Sequence, residues 1–232
     1  MKVILENSTA EIVEKKSRFI ANIFYVESVN VAEEKLSEIK KKYYDAKHNC
    51  FAYIMGINGE QVKSSDDGEP QGTAGHPMLD ILKGNELTNC IAIVTRYFGG
   101  TLLGTGGLVR AYSDSLKAAI SLAKMSEIRN AFEVQFDVSY DDYGKVEKLI
   151  QNYNNSNTAN ASNNNSDSNN RGISIYSLDK TFEDVVKLRY LVSKDIFNSF
   201  KTEIVNMTRG KTTLDESISR TYYTKVNNIV FL

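Results

Sequence analysis

Nine of the 14 glycines and both prolines of this chain fall between Gly68 and Gly107. Glycine reaches positive φ without a steric cost and proline locks φ, so this window is built to fix loop geometry. It holds two loops. One is Ser64-Ser-Asp-Asp-Gly-Glu-Pro-Gln-Gly-Thr-Ala-Gly-His-Pro77. The other lies in Val94-Thr-Arg-Tyr-Phe-Gly-Gly-Thr-Leu-Leu-Gly-Thr-Gly-Gly-Leu-Val-Arg-Ala-Tyr112. In the second, an apolar run (Cys90–Val94) feeds an arginine, a loop with five glycines and an amphipathic helix. A strand, a glycine loop and a helix start can receive an anion, because the first helical turn leaves its N–H donors unpaired. Arg96 and Arg110 flank the loop.

The known phosphate motifs fail residue by residue. Gly99-x-x-x-x-Gly104 begins like a P-loop, but Thr105-Gly106 stands where Lys-Ser/Thr is needed. Gly104-x-Gly106-x-x-Val109 lacks the last small residue of a dinucleotide fingerprint. There is no Gly-x-Ser-x-Gly elbow, no His-Glu-x-x-His and no kinase signature. Asp66, Asp67 and Glu69 are suited to a divalent cation or to acid–base work, and equally to capping turns and pairing with Arg96 or Arg110. His48-x-Cys50 puts two reactive side chains on one strand face, but no third or fourth ligand stands nearby in sequence.

Charge narrows the partner. Residues 1–129 carry 16 Lys/Arg against 16 Asp/Glu, and residues 130–232 carry 12 against 13. Neither half has the bulk positive charge of a non-specific nucleic-acid binder, so contact with RNA needs a local patch, and nothing points to DNA specificity. No apolar run is long enough to span a membrane. The amino terminus lacks a signal-peptide core. Two cysteines are too few for a disulfide framework, so the expectation is a cytoplasmic protein with reduced thiols.

Periodicity divides the chain. Residues 11–26 read as one bent or two short strands carrying the basic cluster Lys15-Lys-Ser-Arg18. Asn30 and Glu33 predict a capping box for a helix over 31–44. Strands are expected at 48–55 and 60–65, a short helix at 74–83, a strand at 89–96 and a helix over 106–125, with Arg110 and Asp114 able to pair. A composition break at 127–130 separates domains at 1–127 and 130–232. The second reads strand, helix, strand, strand, helix, strand, the βαββαβ order. An Asn-rich tract at about 152–171 interrupts it as a disordered insert.

The loop pair Asp66–Pro77 and Val94–Tyr112, with Lys16-Ser-Arg-Phe19 and His48-Asn-Cys-Phe-Ala-Tyr53, closely resembles the YigZ/IMPACT family. The resemblance covers essentially the whole chain. It implies an α+β protein: a two-layer α/β sandwich of the type in a small-subunit ribosomal protein and elongation factor G domain four, then a ferredoxin-like βαββαβ domain. It also implies a translation-associated regulator or an RNA- or ribosome-binding protein, with no established catalytic activity and no cofactor. Eukaryotic members carry an extra partner-binding domain that this chain lacks, so their regulatory circuit does not transfer. The candidates for ligand or nucleic-acid contact are Lys16, Arg18, His48, Asp66, Asp67, Glu69, Thr73, Arg96, Tyr97, Gly99, Gly100, Gly104, Gly106, Gly107 and Arg110. No catalytic residue or metal ligand is assigned. The alternative is an enzyme acting on a small phosphorylated or peptide substrate through the acidic and glycine-rich loops.

Overall fold

The computed structural model describes residues 1–159, 174–214, 218–225 and 228–232. The chain is a two-domain α+β protein whose compact units are Met1–Ile128 and Arg129–Leu232.

The first unit runs β1 (Lys2–Glu6), β2 (Ser8–Glu14), β3 (Ser17–Tyr25), α1 (Val29–Lys42), β4 (His48–Met55), β5 (Gln61–Ser65), α2 (Gly75–Gly84), β6 (Cys90–Tyr97), α3 (Gly104–Leu122) and β7 (Lys124–Glu127). Five of its strands form one sheet in the order β2-β3-β6-β4-β5, every neighbour antiparallel, while β1 and β7 pair as a separate ribbon. The central strands are apolar on both faces, so each face must be covered. Cys50, Ala52, Ile54, Ala92 and Val94 pack under α2 and α3. Tyr53, Met55, Ile91 and Ile93 pack under α1. Helices therefore lie on both sides, and the unit has three layers where the two-layer expectation had one helical side. The helix α1 is capped by Ser28, whose Oγ accepts the Val31 amide at 3.3 Å, rather than by Asn30.

Both β3 and β4 pair with β6, so they run parallel to each other and are joined through α1. By the same logic β5 and β6 are parallel and joined through α2. The two crossovers travel in opposite directions along the sheet, in oppositely directed strands. Crossovers of the same hand would then place both helices on the same face. Because α1 and α2 lie on opposite faces, one crossover is left-handed, against the strong general preference.

The second unit runs β8 (Arg129–Val138), α4 (Tyr140–Ala159), β9 (Ile175–Phe182), β10 (Val186–Ser193), α5 (Phe197–Met207), β11 (Ile218–Lys225) and β12 (Asn228–Phe231). Its antiparallel sheet has the order β12-β11-β8-β10-β9. Val146, Leu149 and Ile150 of α4 and Phe197, Phe200 and Ile204 of α5 share one core with Val134, Phe136, Leu188 and Tyr190. Ser139 caps α4 by accepting the Asp142 amide. The helix continues to Ala159, so the first part of the expected Asn-rich insert, residues 152–159, is helical. The remainder of that insert lies outside the described residues.

Candidate functional site: two interlocked loops and a basic hairpin tip

The acidic loop between β5 and α2 is held by its own carboxylates. Asp66 accepts the amides of Gly72 (2.8 Å), Ala74 (3.0 Å) and Gly75 (2.8 Å), which closes the loop and caps α2. Burial alone would raise the pKa of Asp66, but the amides of Gly72, Gly75 and Ala74 outweigh it and hold the carboxyl below the usual aspartate range. Asp67, at φ 43°, accepts the Asn49 amide at 2.7 Å and the Lys40 ammonium at 2.9 Å. Thr73 is buried and donates to the Pro70 carbonyl at 2.7 Å.

Glu69 points inward. Its carboxylate meets the Arg96 guanidinium at 2.7 Å and accepts the Tyr112 hydroxyl at 2.8 Å. Arg96 has 7% and Glu69 3% of its side-chain surface exposed, so this ion pair is nearly dry. The guanidinium lies over the rings of Phe19 and Phe98, at 5.4 and 5.7 Å from their centroids. Its Nε is buried with no hydrogen-bond partner among the described residues. Cys50 Sγ lies 2.9 Å from the Asp66 carbonyl oxygen and 3.3 Å from the Tyr112 hydroxyl oxygen, and its single S–H donates to one of them at a time. One buried chain of contacts therefore ties the acidic loop, the end of β6, α3 and β4 together. Strand parity is the signal for it. Arg96 shares a face of β6 with Ala92 and Val94, the face that α2 and α3 cover.

These contacts give each carboxylate of this loop a structural partner. Asp66, Asp67 and Glu69 point to three different sets of partners, and among the described residues no group of three His, Cys, Asp or Glu is placed to hold a metal ion. His48 and Cys50 do share a strand face, but His48 Nδ1 lies 2.9 Å from the Asp67 carbonyl, and the Cys50 thiol is fully buried. Burial pushes that thiol up to about 12, out of the range of a nucleophile.

The other candidates face outward. Lys15 and Lys16 form the two-residue β2–β3 turn with φ of 45° and 69°, both exposed, and neither has an ion-pair partner among the described residues. Positive φ at both turn positions suits the twist of a hairpin but costs non-glycine residues some strain. The turn is pressed against Gly99: a Cβ there would stand 2.0 Å from the Lys16 carbonyl carbon. Gly99 also donates its amide to Ser17 Oγ at 3.0 Å. Arg18 is exposed, pairs with Glu11 at 2.7 Å and lies over the Tyr97 ring at 5.4 Å. The Tyr97 hydroxyl donates to Asp45 at 2.7 Å, and that bond raises its phenol to about 12.

Gly104, Gly106 and Gly107 are the first turn of α3 rather than part of the loop, so the helix starts two residues before the expected position. No side chain caps that turn and no acid stands in it. A Cβ at Gly100, Gly104 or Gly106 would meet nothing within 4 Å. Arg110 is exposed and has no partner among the described residues; Asp114 pairs with Lys117 in place of the expected Arg110. Two residues of this surface were not singled out from sequence. Phe98 is 55% and Leu102 82% exposed. Apolar residues inside a glycine loop, with no strand or helix period to serve, are the signal that marks them.

The sequence comparisons agree with this geometry. The family model described as Impact N-terminal domain matches residues 15–120, which include the hairpin tip and both loops. The chain is 41% identical over 148 residues to the IMPACT family member YvyE of Bacillus subtilis (strain 168), covering 64% of this chain and 68% of that protein. It is 37% identical over 138 residues to the IMPACT family member YigZ of Escherichia coli (strain K12), covering 59% and 68%. A solved structure described as the crystal structure of an hypothetical protein matches with 27% identity and a TM-score of 0.54, over 92% of this chain and 95% of that one. Both loops of the first unit lie within the matched residues, and the chain belongs to the IMPACT family.

Proposed function

We propose that this protein is a translation-associated RNA- or ribosome-binding module, and that the outward side of the first unit is its contact surface. The observation that carries this reading is how the candidate residues divide. The acids are occupied by backbone amides, Lys40 and Arg96, while Lys16, Arg110, the open glycines at 100, 104 and 106, Phe98 and Leu102 are all exposed. Cationic side chains and backbone amides suit phosphate, and an exposed aromatic ring suits an unstacked base. Near-neutral net charge makes this a shaped local contact rather than a general affinity for polyanions.

The family resemblance supports the same reading. The resemblance implies that the first unit is akin to the sandwich of a ribosomal protein and elongation factor G domain four, here with α1 added on the second face. The strand order β11-β8-β10-β9 of the second unit is the ferredoxin-like arrangement. On this reading the protein works in the cytoplasm without a cofactor, on RNA or on ribosome and translation factors.

Gel shifts with ribosomal RNA, tRNA and a random duplex, together with ribosome co-sedimentation at low salt, test the proposal. Binding that Lys16→Glu and Phe98→Ala both weaken is the expected result. Absence of binding to all three nucleic acids and to ribosomes would sink it.

A further inference from the structure

The second unit carries an exposed aromatic platform with two carboxylates in the same segments that are unpaired among the described residues. At the end of its sheet, Tyr140 opens α4 and the β9–β10 hairpin places Phe182 and Val185 beside it. Tyr140 is 54%, Phe182 54% and Val185 37% exposed. The platform is ordered by its own contacts. The Tyr140 hydroxyl donates to the Glu183 carbonyl at 2.8 Å, fixing the α4 start against the hairpin tip. The Tyr140 and Phe182 rings lie 6.5 Å apart, and Tyr143 meets Phe182 edge-on at 5.4 Å. Rings held this way lose little entropy when something covers them.

Charges of both signs stand around these rings, with Lys180 over the Tyr143 ring at 5.7 Å and paired with Glu147, and carboxylates are in excess. Asp142 is bonded to Lys145 and Glu183 to Lys187. Asp141, next to Tyr140, and Asp184, between Phe182 and Val185, are exposed and have no partner among the described residues. Asp141 and Asp142 suit the start of α4, which accounts for their sign but not for three exposed apolar side chains. Helix capping explains none of Phe182, Val185 or Asp184.

We propose that this tip docks a lysine- and arginine-rich polypeptide segment of another protein. Its cations would lie over the faces of Tyr140 and Phe182 and pair with Asp141 and Asp184, while an aliphatic side chain covers Val185. The same carboxylates disfavour nucleic acid, so this surface is separate in chemistry from the basic tip of the first unit and does not depend on what that tip binds.

The test uses the full chain and a short fluorescein-labelled peptide of alternating Lys, Arg and Leu. Controls are its counterpart with Glu for Lys and Arg, and an oligouridine of similar length. Fluorescence anisotropy should show salt-sensitive binding of the basic peptide alone, weakened about tenfold by Phe182→Ala. Asp184→Lys, in an exposed turn where it leaves the fold intact, should weaken it as well, and Lys16→Glu should leave it unchanged. Failure of the basic peptide to bind, equal binding of the acidic peptide or the oligouridine, or indifference to Asp184→Lys would overturn the proposal. So would a dimer of the chain that Phe182→Ala dissolves, since the tip would then bind its own copy.

Discussion

Arg96 and Arg110 stand on one motif, within one apolar–glycine–helix run, and meet opposite fates. Arg96 is 6% exposed, paired with Glu69 and set over the rings of Phe19 and Phe98. Arg110 stands in solvent with no partner among the described residues. The inward half of the motif fastens two loops and α3 to the sheet. The outward half is left with Arg110, open glycines and exposed Phe98 and Leu102. Residues that look alike in sequence therefore divide into a fastening and a surface, and experiments can separate the two.

The largest effect should come from Arg96→Ala. It leaves the Glu69 carboxylate buried without its cation, which costs about 3–5 kcal/mol, readable in urea unfolding. A loss below about 1 kcal/mol, the scale of an exposed pair, would erase the distinction between the two arginines. Gly99→Ala comes next. Its Cβ would stand 2.0 Å from the Lys16 carbonyl carbon and 2.2 Å from the Ser17 amide, and backbone yields poorly. A penalty of about 1–3 kcal/mol is expected, together with weakened ribosome or RNA contact, because the hairpin tip must move. If stability falls and contact does not, the tip is not part of the surface.

Asp66→Asn should cost about 1–2 kcal/mol through its weakened loop-closing cap. It also carries a pH signature. Its folded-state pKa is depressed, so its contribution is present above the ordinary aspartate value of about 3.9 and disappears as pH falls through the folded value. Acid unfolding curves of the wild type and of Asp66→Asn should therefore converge at the acid end; curves that stay parallel would exclude this role. The smallest effect on stability belongs to Arg110→Ala, within about 0.5 kcal/mol. Its effect should lie in binding, as a slope of log affinity against log salt reduced by about 1.

The parts of the first unit with a strong period were open to reading. His48–Met55 alternates between faces and is β4 to the residue, and the α3 stripe Leu108, Tyr112, Leu116 and Ala119 is buried. Short elements gave no such signal: β1 and β7 have 5 and 4 residues, too few to show alternation, and they form because they find each other. The start of α3 was displaced because glycines at 104, 106 and 107 have poor helix propensity, which the packed helix overrides. At the site, the association of the two loops was legible as a shared composition. The direction each residue faces was not, since a carboxylate near arginines in sequence looks the same whether it caps a turn, pairs in the core or meets solvent. Face parity along β6 resolves Arg96; nothing comparable marks Asp66, whose partners are backbone amides.

The ribbon of β1 and β7 has a consequence for how the first unit can be rewired. It sets Lys2 opposite Glu127, and the Ile128 amide bonds the Met1 carbonyl at 3.0 Å. The two ends of a 128-residue body thus meet at a hydrogen bond. Such a body can be circularly permuted: its ends joined by a short glycine-rich linker and new ones opened at the tight Gly56–Gly59 turn, which lies outside both paired loops. The same closure makes it a cassette, able to be inserted into a host loop without straining either partner.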